Sequence, residues 1–179
     1  MKRFDGLCEE LCAIDVSAFV DWITAIPFED WPQQSRLADG QIRPAMVTTK
    51  LHWHDFGLKM LDAHDGVGDA LIARGHFSFG YYNDMLSVVM PGHSIEPHQD
   101  KQPFEWLARI HVPLTTNPKS VYIAEDTKPA PPEFTTFKKY KFHMEVGKAY
   151  LINTLAKHEI RNDGDTPRIH LMFDVKALG

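Results

Sequence analysis

The feature that most limits how this chain can fold is a change of texture near residue 74. From there on, short runs of β-forming residues alternate with turn residues: HFSFGYY, MLSVVM, WLARIHVPL, SVYIA, FTTFKKYKFHMEV, KAYLINTL, KHEIRN and RIHLMFDV. Several of these runs alternate apolar and polar side chains, as strands with one buried face do. So many short strands at even spacing predict a sandwich, jelly roll or barrel. The Pro-rich stretch EDTKPAPPEF, residues 125 to 134, is expected to be a loop, since proline cannot donate to a sheet ladder.

The first 73 residues have a different pattern. In DVSAFVDWITAI, residues 15 to 26, Val16, Phe19, Val20, Ile23 and Ile26 recur at helical spacing, with Asp15 placed to cap and Pro27 to stop the helix. Residues 54 to 73 form a second candidate helix, and residues 28 to 50 are expected to be irregular. The two cysteines, Cys8 and Cys12, are four apart and would share one face if their segment were helical. With no CxxC and no third cysteine, they are expected to pack as small apolar residues. No repeat or linker divides the chain, so one domain is expected over residues 1–179. In it, helical and irregular residues 1–73 flank a mainly β core, residues 74–179.

Composition excludes several classes. Hydrophobic residues at 44% and charged residues at 24% are globular values. A net charge of −5 argues against a general nucleic-acid binder. No apolar run approaches the roughly 18 residues of a membrane span. The N-terminal MKRFDGLCEELCAID lacks the apolar stretch of a secretory signal, so a cytoplasmic location is expected.

The chemistry is concentrated in PGHSIEPHQD, residues 91 to 100. His98 and Asp100 are two apart, a spacing that on a strand aims both side chains to one side. His158, 60 residues downstream in AKHEIRND, can join them, because distant strands are neighbours in a jelly roll. Two histidines and one carboxylate with open positions are the ligand set of non-haem Fe(II) oxygenases. A lone HxD is weak evidence in a chain with ten histidines: His52 and His54 in LHWHD have the same spacing, and nothing around them extends the pattern. What distinguishes His98 is Arg168, ten residues after His158. Asp163-Gly164 between them is a hairpin signal, which would set two antiparallel strands side by side and bring Arg168 next to His158. A guanidinium there could grip the far carboxylate of a dicarboxylate that chelates the metal. Arg109 and His111 alternate with Leu107, Ile110 and Val112 and share one strand face. The alternation leaves open whether that face is turned to the site or outward.

The motifs SVVMPGHSIEPHQD, RIHVPL and GKAYLINTLAKHEIRNDGDTPRIHLMFDV together resemble the aspartyl/asparaginyl β-hydroxylase family of Fe(II)/2-oxoglutarate dioxygenases, which also holds bacterial hydroxylases of free amino acids such as proline. The resemblance spans Ser87 to Val175, about half the chain, and implies a double-stranded β-helix of jelly-roll, cupin-like type. It implies His98, Asp100 and His158 as iron ligands and Arg168 as the partner of the far 2-oxoglutarate carboxylate, with Ser87 nearby. Arg109 and His111 match a pair lining the site near the metal-bound carboxylate and the substrate. The implied reaction is hydroxylation of an amino-acid side chain, free or in a peptide, using O2 and releasing succinate and CO2. A substrate carboxylate would lie near Arg109, or near a basic residue of the N-terminal half such as Arg36 or Arg43. Two other classes compete: a Zn hydrolase on the same ligands, in which Arg168 has no task, and a non-enzymatic jelly-roll module that binds an acidic ligand or a protein.

Overall fold

A computed structural model describes residues 4–26, 46–47, 53–100, 106–126 and 137–178. Ten strands and two helices run in the order β1 (Cys8–Ala13), α1 (Ser17–Thr24), β2 (Met46–Val47), α2 (Trp53–Ala73), β3 (Phe79–Val89), β4 (His93–His98), β5 (Trp106–Thr115), β6 (Ser120–Glu125), β7 (Lys139–Phe142), β8 (Lys148–Ile152), β9 (His158–Asn162) and β10 (Arg168–Ala177). They make a six-stranded sheet, β1-β8-β5-β10-β3-β2, and a four-stranded sheet, β4-β9-β6-β7. Every pairing is antiparallel. The mainly β architecture expected from the alternating runs is therefore present, with both expected helices.

Period-two alternation sorts the side chains of the large sheet onto two faces. On β10, Leu171, Phe173 and Val175 join Ile110, Val112 and Leu114 of β5 and Leu86 and Val88 of β3 in the main core. The helices cover this face. Phe19 and Ile23 of α1 and Ala63, Val67 and Leu71 of α2, each series spaced by four, supply their buried stripes. Phe173 and Ile110 have no exposed surface, so truncating either to Ala should cost about 3–5 kcal/mol. The opposite face carries Arg168, His170, Met172 and Asp174 of β10, beside Arg109 and His111 of β5 and Ser87 of β3. A second, smaller core lies on this side, built from Val89, Tyr122, Ala124, Met144, Tyr150, Ile152 and Ile160.

Four local expectations change. Residues 8–13 form strand β1, paired with β8, and not a helix. A register shift between Glu10 and Cys12 turns the strand over. Cys8 therefore packs on the smaller core and Cys12 on the main one, although residues four apart would share a face of a regular strand. The N-terminal part thus contributes strands to the large sheet, where a helical and irregular flank was expected. In α1 the helix begins one residue later than a cap at Asp15 would give. Asp15 Oδ1 accepts from the Ser17 backbone N–H at 2.9 Å and from its hydroxyl at 2.7 Å. The runs HFSFGYY and MLSVVM belong to one long strand, β3. That strand is bent at Asn83, whose φ is 57°, where the register with β10 shifts between Met172 and Asp174.

The fourth change concerns the Asp163-Gly164 turn. β9 pairs with β4 and β6 in the small sheet, whereas β10 pairs with β3 and β5 in the large one. The turn crosses between sheets and is not a hairpin. Buried amides account for this. Asn162 Nδ2 donates to Val89 O at 2.8 Å and Thr166 O at 2.9 Å, while its Oδ1 accepts from Asn117 Nδ2 at 2.8 Å. Gly164 packs so closely on Asn117 that an added Cβ would lie 2.1 Å from Asn117 Oδ1. Residues 127–134 of the expected Pro-rich loop lie outside the described residues, as do Arg36, Arg43 and His52.

Candidate metal and dicarboxylate site

His98 ends β4 and His158 begins β9, and the two are directly paired in register. Their ring centroids are 4.3 Å apart. Asp100 lies two residues past the end of β4, held there because its backbone N–H donates to Thr154 O at 2.9 Å. The shared face expected from strand spacing is thus reached through a fixed strand end. Ligand atoms of His98, Asp100 and His158 all lie within 4.8 Å of one another.

Both imidazoles are oriented for a metal. His98 Nδ1 lies 2.7 Å from Glu96 O, and His158 Nδ1 lies 2.8 Å from Ala156 O. A carbonyl can only accept, so each Nδ1 carries the proton and each Nε2 keeps its lone pair free for an ion. Burial, together with the positive charge that His98 would carry, holds the His158 pKa below its ordinary 6.5, although the Ala156 carbonyl works against this. His158 is therefore neutral, the form that binds metal, at physiological pH.

Asp100 is fixed from the other side. Its Oδ2 accepts from Arg109 Nη1 at 2.6 Å, and its Oδ1 lies 3.6 Å from His98 Nε2. One oxygen is thus engaged and one is turned to the metal position. Arg109 is clamped by Asp174, which has no exposed surface: Nε donates to Oδ1 at 2.8 Å and Nη2 to Oδ2 at 3.1 Å. Asn83 Nδ2 donates to the same Oδ2 at 3.0 Å. Burial opposes the charge on Arg109, but the two aspartates outweigh it and raise its pKa.

Arg168 has the opposite surroundings. It is 2% exposed, and its hydrogen-bonding neighbours among the described residues are two imidazoles. Its Nη2 lies 2.8 Å from His170 Nδ1 and 3.4 Å from His111 Nδ1. Among the described residues its Nη1 is buried with no partner. Burial pulls the guanidinium pKa down to about 9, so at neutral pH a full positive charge sits in the interior with no carboxylate partner among the described residues. Such a charge is costly unless an anion meets it. His111 and His170 are both held well below pKa 6.5, by burial first and the Arg168 charge second, and are neutral. Ser87, 3% exposed, is the cross-strand neighbour of His170. A series of ring contacts joins the two halves of the site. The Tyr122 ring lies 5.5 Å from that of His158 and 6.4 Å from that of His111, and His111 lies 5.7 Å from His170.

The structure brings together His98, Asp100, His158 and Arg109 at one end and Arg168, His111 and Ser87 at the other. Sequence reasoning missed Tyr122, Thr154, His170 and Asp174. Among the described residues, the Tyr122 hydroxyl, Thr154 Oγ1 and His170 Nε2 are buried and unpartnered, like Arg168 Nη1. Their signal was alternation: Tyr122 lies in SVYIA, and His170 and Asp174 share the phase of Arg168 in RIHLMFD. His93, by contrast, is exposed and contacts Pro91 O.

A jelly roll with two histidines, a carboxylate and a buried free arginine is the arrangement of non-haem iron oxygenases that take a 2-oxo dicarboxylate. The model of the aspartyl/asparaginyl β-hydroxylase family matches residues 70–177, and the chain belongs to that family. It is accordingly an Fe(II)- and 2-oxoglutarate-dependent hydroxylase that uses O2. No curated protein sequence matches it. Among solved structures it is similar to SnoK, a non-haem α-ketoglutarate-dependent carbocyclase from nogalamycin biosynthesis, with a TM-score of 0.69 at 12% identity over 97% of this chain and 80% of that one. AviO1 from Streptomyces viridochromogenes gives a TM-score of 0.67 at 11% identity, covering 99% and 93% of the two chains. The viral collagen prolyl hydroxylase of Paramecium bursaria Chlorella virus-1, solved with 2-oxoglutarate, gives 0.61 at 11% identity, covering 97% of each. These likenesses establish the double-stranded β-helix fold. The Zn hydrolase and the non-enzymatic module are not favoured. Among the described residues, no helix is long and apolar enough to cross a membrane.

Proposed function

We propose that His98, Asp100 and His158 hold one Fe(II), that Arg168, with Ser87 and His111, receives 2-oxoglutarate, and that the enzyme hydroxylates the side chain of a free amino acid or a short peptide. The observation that carries this reading is Arg168: a buried guanidinium with no carboxylate among the described residues, joined by contacting rings to a two-histidine, one-carboxylate cluster. A dicarboxylate supplies the missing charge at one end and chelating oxygens at the other. When bound, the iron and 2-oxoglutarate supply the oxidising power for C–H hydroxylation. The protein contributes orientation. The Glu96 and Ala156 carbonyls fix the histidine tautomers, and Arg109 holds Asp100 to a single free oxygen.

Arg109 also suits a substrate carboxylate. Its guanidinium has five N–H groups, and the bonds to Asp100 and Asp174 use three. Two remain for a second anion beside the metal position. Family membership supports an amino-acid or peptide substrate. The test is succinate release from 2-oxoglutarate by the Fe(II) protein across a panel of free amino acids and short peptides. Stimulation by at least one amino acid or peptide is expected. Stimulation only by a nucleic acid or a lipid would overturn the substrate class while leaving the metal assignment intact.

A further inference from the structure

Strand β3 carries one extra residue where it faces Asp174. Met85 pairs with Met172 of β10, so a regular ladder would put Asn83 opposite Asp174, but Tyr82 stands there instead. The residues that flank this insertion turn away from the site. Tyr81 packs on the main core, and Asp84 Oδ1 lies 3.1 Å from His64 Nε2 of α2. Helix α2 holds both shoulders of the bulge. The His64 ring stacks on that of Tyr81 at 4.1 Å, and the Tyr81 hydroxyl donates to His64 O at 2.6 Å. Gly68 permits this close approach, since a Cβ there would lie 2.7 Å from the Tyr81 hydroxyl. Between the shoulders Asn83 takes a φ of 57°, a left-handed conformation that asparagine adopts more readily than most residues. Asn83 is itself exposed, so packing of its side chain does not account for that backbone. A bulge can re-aim a side chain. Here the amide is aimed at a carboxylate with no exposed surface: Nδ2 donates to Asp174 Oδ2 at 3.0 Å.

We infer that Asn83 is a positioning residue for the metal centre, acting through Asp174 and Arg109 on Asp100. Three successive hydrogen bonds make the route. Asn83 Nδ2 and Arg109 Nη2 both donate to Asp174 Oδ2, at 3.0 and 3.1 Å, and Arg109 Nη1 donates to Asp100 Oδ2 at 2.6 Å. A carboxylate turns easily about its last torsion, and the Asn83 amide removes that freedom from Asp174. The guanidinium is a rigid plane, so a turn of the Asp174 carboxylate would pass through Arg109 to the oxygen of Asp100. The inference rests on the reading of His98, Asp100 and His158 as the metal ligands. It extends the support of that site to an exposed residue of β3 and to the helix that grips the bulge from behind.

The test is a double-mutant cycle on Co(II) affinity, measured by calorimetry without turnover, in the wild type, Asn83→Gly, Arg109→Lys and the double variant. Glycine keeps the left-handed backbone at no steric cost and removes only the amide. In the wild-type background Asn83→Gly should weaken Co(II) binding about tenfold, the lower end of what outer partners of metal ligands contribute. In the Arg109→Lys background the fork is already lost, and the same change should alter affinity by less than about twofold. An equal loss in both backgrounds, or no loss in either, overturns the role. If Arg109→Lys fails to fold, by circular dichroism, the visible spectrum of the Co(II)-saturated proteins decides. A shift of its bands in Asn83→Gly supports the role, because a change in stability alone leaves the saturated site as it was; an unchanged spectrum overturns it. A wild type that does not bind Co(II) would instead refute the ligand reading itself, a separate and recognisable failure.

Discussion

If Arg168 is an interior cation kept for a ligand, removing it should leave the ligand-free protein no less stable while weakening 2-oxoglutarate binding. The perturbation is Arg168→Met, which keeps most of the length and removes the charge. Burial lowers the guanidinium pKa from 12.5 to about 9. A depressed pKa on a base means that the folded state disfavours the charged form, here by about 5 kcal/mol at about 1.4 kcal/mol per unit. At pH 7 the group is charged in both the folded and unfolded states, so the whole cost falls on the folded protein. Against this, the variant loses the 2.8 Å bond to His170 Nδ1 and leaves that nitrogen buried, at about 1–3 kcal/mol. The balance is a ligand-free protein more stable by about 2–4 kcal/mol, consistent with buried ions replaced by apolar residues. The assay is urea unfolding at pH 7 of metal-loaded wild type and variant, with and without 2-oxoglutarate. The ligand should raise the stability of the wild type far more than that of the variant. If Arg168→Met instead lost more than about 2 kcal/mol without ligand, as breaking a paired buried charge would, the argument would fail.

Three further outcomes follow from the same geometry. His98→Ala and His158→Ala should each abolish Fe(II) binding in a metal titration, and Asp100→Ala should weaken it severely; full turnover by the His98 variant would sink the ligand assignment. Arg109→Lys keeps the charge but not the fork that spans Asp100 and Asp174, so metal affinity should fall about 10–100-fold, and equal affinity would show that Asp100 needs no such support. His111 and His170 are neutral when folded and held below 6.5, so below pH 6.5 the unfolded chain takes up their protons first. The stability they contribute is nearly complete above that pH and falls by up to about 2 kcal/mol between pH 6.5 and 5.5; unfolding curves that match at the two pH values would contradict their burial as neutral groups.

Much of this was legible in the sequence, for identifiable reasons. Alternation in RIHLMFDV and WLARIHVPL gave both the strands and which residues share a face, because a half-buried sheet enforces a period of two. HxD with a distant histidine gave the metal cluster, because ligand chemistry restricts residue type more than distance along the chain. The misses have a common physical cause, which is that irregularities in a sheet leave little trace in the local pattern. Cys8 and Cys12 mimicked helical spacing because a bulge at Leu11 inserts one residue into a strand. The Asp163-Gly164 turn carries a hairpin signal, yet buried Asn117 and Asn162, 45 residues apart, lead the chain into the other sheet. His170 was indistinguishable from a packed histidine until its Nε2 proved to be without a partner. The clamp of Asp174 on Arg109 joins residues 65 positions apart, and Asn83, at a positive φ in β3, donates to the same carboxylate, which no local pattern announces.

One dicarboxylate must reach both a metal held by His98, Asp100 and His158 and the Arg168 guanidinium. Calorimetric titration of 2-oxoglutarate into the protein under nitrogen, with and without one equivalent of Fe(II), tests it most directly. The account predicts one equivalent of 2-oxoglutarate bound to the iron-loaded protein, and far weaker binding to the metal-free protein or to loaded Arg168→Met. Equal affinity with and without metal, or no binding by the loaded wild type, would contradict it.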